Sequence, residues 1–134
     1  YIDQECSVLD PGLTVFEQTE RFNASHLAEH ELKSILNRCL FPYETWDKPC
    51  FCLSGGEKIR LLFCCLMIGN NAPDVFILDE PTNNLDIQSV EIITAAIKSY
   101  RGTVLLISHD HYFVKEIKIN RSIKLFDTGS VIKI

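Results

Sequence analysis

The 134 residues are 46% hydrophobic and 23% charged, with a formal net charge of −5, a balance too apolar and too weakly charged for a disordered chain. The acidic excess argues against this segment being the main nucleic-acid contact, which needs Lys and Arg in surplus. No apolar run approaches the roughly 20 residues of a membrane span, and Tyr1–Glu5 shows neither the basic nor the apolar region of a signal peptide. The chain opens without an initiator Met, so its natural start is expected upstream of Tyr1.

Taken in order, Asp10-Pro11-Gly12 reads as a turn. A short helix is expected over Val15–Glu20 and a longer one over Ser25–Leu40, with Leu32, Ile35, Leu36, Cys39 and Leu40 on one apolar stripe. Pro42 and Pro49 bracket a loop whose Tyr43 and Trp46, with Phe51 beyond it, are expected to pack against the next helix. That helix runs from Ser54 to Gly69, taken as its C′ glycine. Val75–Leu78 is an unbroken apolar run, expected as a strand buried on both faces. A helix follows from Ile87 to Tyr100, N-capped by Asp86 and buried through Ile87, Val90, Ile93, Ala96, Ile97 and Tyr100. Thr103–Ile107 is a second buried strand, Asp110–Ile117 a short helix, and Ile123–Phe126 with Val131–Ile134 a hairpin about Asp127-Thr128-Gly129-Ser130. Strand–helix–strand alternation predicts a parallel α/β sheet over about 70–134. The region of about 11–69 lacks that alternation and is expected as a helical subdomain beside the sheet.

Cys6, Cys39, Cys50, Cys52, Cys64 and Cys65 form no CxxC pair, so they read as reduced thiols used as small buried residues rather than a zinc site. His26 and His30 stand four apart on the expected second helix, without a third ligand, and read as part of a solvated face. Arg60 reads equally as a surface residue or as one that orders an interface.

Three segments carry chemistry. Leu78-Asp79-Glu80-Pro81 delivers two carboxylates to the C-terminal end of a strand, the edge where open α/β sheets bind ligands. An Asp there suits a hard cation such as magnesium, and a Glu beside it suits water activation; a surface loop after a buried strand explains the same residues equally well. Leu53-Ser54-Gly55-Gly56-Glu57 opens a helix whose uncovered N–H groups and dipole make an anion site, although Ser-Gly-Gly turns are also common in loops. Ile107-Ser108-His109-Asp110 puts a His on the sheet edge of Asp79 and Glu80, where it could touch a phosphate or orient water, or serve as an ordinary loop histidine.

Gln4, LSGGEKIR, VFILDEPTNNLD and LLISHD, in that order and spacing, resemble an ATP-binding-cassette (ABC) ATPase domain from its Q-loop to its H-loop, over nearly the whole chain. The resemblance implies an α/β fold: part of a P-loop NTPase, with a parallel-sheet core lacking its N-terminal strands and a helical signature subdomain. It implies ATP and magnesium as ligands. Gln4 would match the Q-loop glutamine that reaches magnesium and the attacking water. Ser54, Gly55 and Gly56 would match the signature that closes on the terminal phosphate of ATP bound by an opposing cassette. Asp79 would match the Walker B aspartate, Glu80 the general base, and His109 the switch histidine. Asn84, Leu85 and Asp86 would fall in the D-loop, which crosses between cassettes. Glu80-Pro81-Thr82-Asn83-Asn84-Leu85-Asp86 is similar to the ABC-F branch, soluble cytoplasmic twin-cassette proteins that act on the ribosome in translation or antibiotic resistance, with Asn84 and His111 departing from the branch pattern. A transporter cassette gripping a transmembrane subunit is the alternative, and a catalytically silent interaction module a third reading.

The sequence contains no GxxxxGK[ST]. Phosphate cradling in such enzymes rests on that loop, so this chain alone is expected to bind ATP weakly, and its uncovered sheet is expected to self-associate.

Overall fold

A computed structural model of the chain describes residues 8–69, 74–83, 85–125 and 131–133. Gln4 and Asn84 lie outside the described residues, as do Cys6 and the hairpin turn. The elements in order are α1 (Val15–Phe22), α2 (Glu29–Arg38), α3 (Gly55–Ile68), β1 (Val75–Asp79), α4 (Ile87–Ser99), β2 (Thr103–Ile107), α5 (His111–Glu116), β3 (Ile123–Leu125) and β4 (Val131–Lys133). Two short 3-10 turns, Tyr43–Thr45 and Cys50–Cys52, lie between α2 and α3.

Helix α3 is the axle of the helical part. It packs against α1, α2 and α4, and Leu61, Leu62, Phe63, Cys64, Cys65 and Ile68 are all at most 3% exposed. A helix apolar on nearly every side must be surrounded, and burial of each large side chain contributes roughly 1.5–3 kcal/mol. Both thiols, Cys64 and Cys65, are buried with Cys39 and Cys50, whereas Cys52 is exposed. Reciprocal capping boxes start α1 and α3: Thr14 Oγ1 accepts from the Glu17 N–H while Glu17 accepts from the Thr14 N–H, and Ser54 and Glu57 repeat the exchange. The loop after α2 is tied to the start of α1 by Val15 N–H to Lys48 O at 3.0 Å and Cys50 N–H to Leu13 O at 2.8 Å.

Several expectations from periodicity fail for local reasons. Helix α2 begins at Glu29, not Ser25, because His26 sits at φ 53° and the Asn23 side chain brackets Leu27, accepting from its N–H and donating to its C=O. His26 and His30 therefore do not share a helix. Leu40 leaves the apolar stripe: at φ 60° and 38% exposed it is a left-handed C-terminal residue, and the Phe41 N–H closes back on Leu36 O at 2.9 Å. Gly69 ends α3 in extended rather than left-handed geometry. Of the three loop aromatics only Trp46 packs inward, donating Nε1–H to Phe41 O at 2.8 Å; Tyr43 and Phe51 are exposed. Ile87, expected on the buried face of α4, is exposed because it is the first helical residue, ahead of the turns that meet α3 and the sheet.

Strands β1 and β2 pair in parallel, from Val75↔Thr103 to Asp79↔Ile107. Strand β3 pairs antiparallel with β4 from Ile123↔Lys133 to Leu125↔Val131. One face of the parallel pair is covered, with Phe76 and Leu78 in the core and the Phe76 ring packed against Tyr100 at a tilt of 59°, centroids 4.6 Å apart. Its other face is not: Val75, Leu105 and Ile107 stand about half exposed. The unbroken apolar runs thus mark strands with a second face that nothing among the described residues covers, rather than strands already buried on both sides.

Candidate functional site

Parallel pairing in register brings two strand ends to one edge. Glu80 follows β1 and His109 lies two residues past β2, and the edge is closed by the Glu80 N–H donating to Ile107 O at 2.8 Å. Glu80 takes φ 46°, a left-handed conformation that costs a non-glycine residue of order 1 kcal/mol or more and persists where surrounding structure dictates it. The kink turns the Glu80 side chain toward His109, whose Nδ1 lies 2.7 Å from Glu80 Oε1. The other oxygen, Oε2, is buried and has no hydrogen-bond partner among the described residues. A buried oxygen without a donor is costly, and here it is a vacant acceptor beside an occupied one.

The Glu80 hydrogen bond, and then its charge, raise the His109 pKa above the ordinary imidazole value. The His109 side chain is 78% exposed, so the pair is a proton-positioning device more than a source of stability. Whatever stability it gives is complete below the free imidazole pKa of about 6.5 and is lost as pH rises through the elevated value. Titration of His109 by imidazole NMR is expected to show a pKa above that of a free imidazole, returning toward it in Glu80→Gln; an unchanged value in the variant would show that the two side chains do not pair in solution.

Asp79 ends β1 half-buried, and its carboxylate makes no hydrogen bond or ion pair among the described residues. It shares with Ser54, Gly55, Gly56, Glu80 and Asp86 the walls of an open cleft of about 810 Å³. Across this cleft from the carboxylates stands the N-terminus of α3. Ser54 Oγ accepts the Glu57 N–H at 3.3 Å and Glu57 accepts the Ser54 N–H at 2.7 Å, which leaves the N–H groups of Gly55 and Gly56 as the open donors of the first turn. Burial pushes the Glu57 carboxyl up, but the Ser54 hydrogen bonds and Lys48 outweigh it and hold Glu57 ionised. The two glycines differ in what surrounds them. A Cβ at Gly56 would meet Leu85 Cδ2 at 2.7 Å, whereas one at Gly55 meets nothing within 4 Å. Packing explains Gly56; it does not explain Gly55.

Asp86 caps α4 as expected. Its Oδ1 accepts the Ser89 N–H at 2.7 Å and its Oδ2 the Ser89 hydroxyl at 3.1 Å, and these bonds, led by the Ser89 N–H, lower its pKa. Sequence reasoning left Arg60 as a possible surface residue; the structure buries it against this cap. The Arg60 Nη1 donates to Ser89 Oγ at 2.8 Å, and its guanidinium lies over Phe41 at 5.1 Å. The signal was available in the spacing, since Gly56, Ile59, Arg60 and Phe63 recur at i, i+3, i+4 and i+7 and all line the cleft.

Among the described residues no group of three or more His, Cys, Asp or Glu is placed to hold a metal ion. Asp79, an unengaged hard oxygen donor on the cleft wall, still fits magnesium, which accepts one or two carboxylates and fills its sphere with water and phosphate oxygens. No helix of the described residues is long and apolar enough to cross a membrane.

Comparison with known proteins agrees with this geometry. A family model described as "ABC transporter" matches residues 1–83. ABC transporter F family member 5 of Arabidopsis thaliana is 43% identical over 128 residues, covering 95% of this chain and 18% of the relative. The probable ATP-binding protein YbiT of Escherichia coli O157:H7 is 43% identical over 105 residues, covering 78% of the chain and 19% of the relative. The chain therefore spans about a fifth of the length of these relatives. Among solved structures, the fold matches a bacterial ABC transporter cassette described as dimeric, MJ0796, with a TM-score of 0.64 and 21% identity over 86% of this chain and 53% of that one.

Proposed function

The chain belongs to the ABC transporter family of ATPases, and from that premise we propose that it supplies the water-activating and signature-bearing part of an ATP-hydrolysing cassette of the ABC-F branch. The observation that carries this is the Glu80–His109 pair at the sheet edge, with one Glu80 oxygen bound and the other buried without a partner among the described residues. In the reaction so assigned, Glu80 Oε2 accepts a proton from water as the water oxygen attacks the terminal phosphorus of ATP. The bond from that phosphorus to its bridging oxygen breaks, and the electron pair leaves with ADP. His109 holds Glu80 in place and, when protonated, presents a positive charge to the phosphate oxygens. Magnesium at Asp79 would neutralise phosphate charge; Gln4 is assigned to the same ion and the attacking water. Ser54, Gly55 and Gly56 donate to the terminal phosphate of ATP held by an opposing cassette, and Asp86 orders the segment between the two.

The branch assignment is supported by the Arabidopsis F-family relative and by Glu80–Asp86 as a motif. It points to a cytoplasmic protein whose partners are a second cassette and the ribosome. A nucleotide-binding domain serving a transmembrane subunit is the second reading, consistent with the likeness in fold to a transporter cassette. The half-exposed sheet face at Val75, Leu105 and Ile107 favours pairing with another copy.

Because the sequence holds no GxxxxGK[ST], we expect these 134 residues alone to bind ATP–magnesium too weakly for calorimetry at micromolar concentration, and the same protein extended upstream through a phosphate-binding loop to bind it. Equal binding by both would sink the assignment of the cradle to a segment outside this sequence.

A further inference from the structure

The structure assigns to Arg60 a positioning role, in which the guanidinium holds the Leu85–Ser89 arm of the cleft against the Ser54–Gly56 helix and so sets the spacing between the phosphate-donating wall and the carboxylate wall. The assignment rests on the ATPase reading above, but its contacts stand independently. Arg60 is 8% exposed and extends from α3, four residues beyond Gly56. Its Nη1 donates to Ser89 Oγ at 2.8 Å, and the same hydroxyl donates to Asp86 Oδ2 at 3.1 Å. One hydroxyl that accepts from a cation and donates to an anion has its rotation fixed at both ends, so the N-cap of α4 cannot turn without breaking a charge-assisted bond. Four residues earlier, Leu85 Cδ2 occupies the space where a side chain at Gly56 would sit. The arm is thus held at two points along one face of α3.

Packing alone does not account for an arginine here. Burying a guanidinium without a direct carboxylate partner carries a desolvation cost, and a buried charged group is commonly replaceable by an apolar residue of similar volume at little loss. The Arg60 Nε is itself buried without a partner among the described residues. A methionine would fill the volume and cover the Phe41 ring; it would not hold the Ser89 hydroxyl. What the charge adds is orientation, and the oriented segment is the one that carries Asp86.

The test compares Arg60→Met, Ser89→Ala and the double variant in the full-length protein, with Glu80→Gln as the control for hydrolysis. Hydrogen exchange of the residue 89 amide is expected to rise about tenfold in each single variant, the size of one charge-assisted bond, with the amides of Ala96 and Ile97 unchanged. Turnover is expected to fall about tenfold with KM for ATP within about twofold, since the Arg60 Nη1 is committed to Ser89 Oγ. The double variant is expected to be no worse than the poorer single one, as for two members of one relay. Unchanged exchange at residue 89, turnover losses that add in the double variant, or a lowered melting temperature with turnover intact would each overturn the assignment. Should Arg60→Met fail to fold, Ser89→Ala, which removes one hydroxyl, decides alone. Absence of hydrolysis in the wild type, or its survival in Glu80→Gln, would instead count against the ATPase reading, and the exchange measurement would still judge the Arg60 tie.

Discussion

Glu80→Gln is expected to lower ATP turnover by about 10²–10⁴, the range that general-base help contributes, while leaving nucleotide affinity and melting temperature near their wild-type values. The amide is isosteric with the carboxylate and can still meet His109, so the left-handed kink and the Ile107 hydrogen bond that position residue 80 remain in place. What is lost is the basic oxygen. Oε2 is buried and unpartnered among the described residues, and either an amide oxygen or an NH₂ group in its place takes up no proton at neutral pH. Pre-steady-state measurement of phosphate release in the full-length protein separates this loss from a change in binding. A variant that hydrolyses within threefold of the wild type would mean that Glu80 is not the base and that its vacant oxygen has another purpose.

Gly55→Val is expected to cut turnover about 100-fold, the cost of roughly ångström-scale misplacement at a reacting group, with stability changed by no more than about 0.5 kcal/mol. The position is exposed on the first turn of α3, and a side chain there meets no protein atom within 4 Å. Valine is a slightly better helix former than glycine, so the fold has no reason to resist it. The methyl groups instead stand beside the open N–H donors of the first turn, where a phosphate oxygen must approach closely. Gly56→Val is the comparison: it must push aside Leu85 Cδ2, 2.7 Å from the nearest position of its Cβ, and so is expected to lose stability and turnover together. Thermal melts beside turnover distinguish the two. If Gly55→Val hydrolysed ATP normally, the α3 N-terminus would not be a phosphate site.

How much of this was legible beforehand differs by element. The strands, their parallel pairing and the edge carrying Asp79, Glu80 and His109 were readable because apolar runs bounded by polar clusters survive any detail of packing. A cap was readable where the capping side chain is short and local, as at Asp86. The start of α2 was not, because the Asn23 side chain closes a loop over Leu27 and competes with helix at residues whose periodicity looks helical. Leu40 and Ile87 were misplaced because periodicity continues through residues at a helix end without indicating that the chain has turned or that no neighbour is present. The helix face of Arg60 is readable from its spacing with Gly56, but its partner, Ser89, is 29 residues away, and no local pattern names that contact. The distinction between the two glycines is likewise a matter of what stands opposite, which only the fold supplies.

The Glu80–His109 pair also has a place in time. Its members are 29 residues apart and are joined only because Asp79 faces Ile107 across two parallel strands, a pairing that cannot close through a tight turn and must wait for α4 to cross between them. Non-local parallel contacts carry a loop-closure cost before they are rewarded, and they are intrinsically slow to form. Helix α3 draws on partners as far away or farther, Gln18 at 47 residues from Cys65 and Ser89 at 29 from Arg60, and Glu80 and His109 meet only once the two strands have closed in register. A one-residue slip of β2 would move every one of its side chains to the opposite face and separate the pair. The pair is therefore a readout of register: where Glu80 and His109 meet, Asp79 faces Ile107 and the two strands have paired as they should.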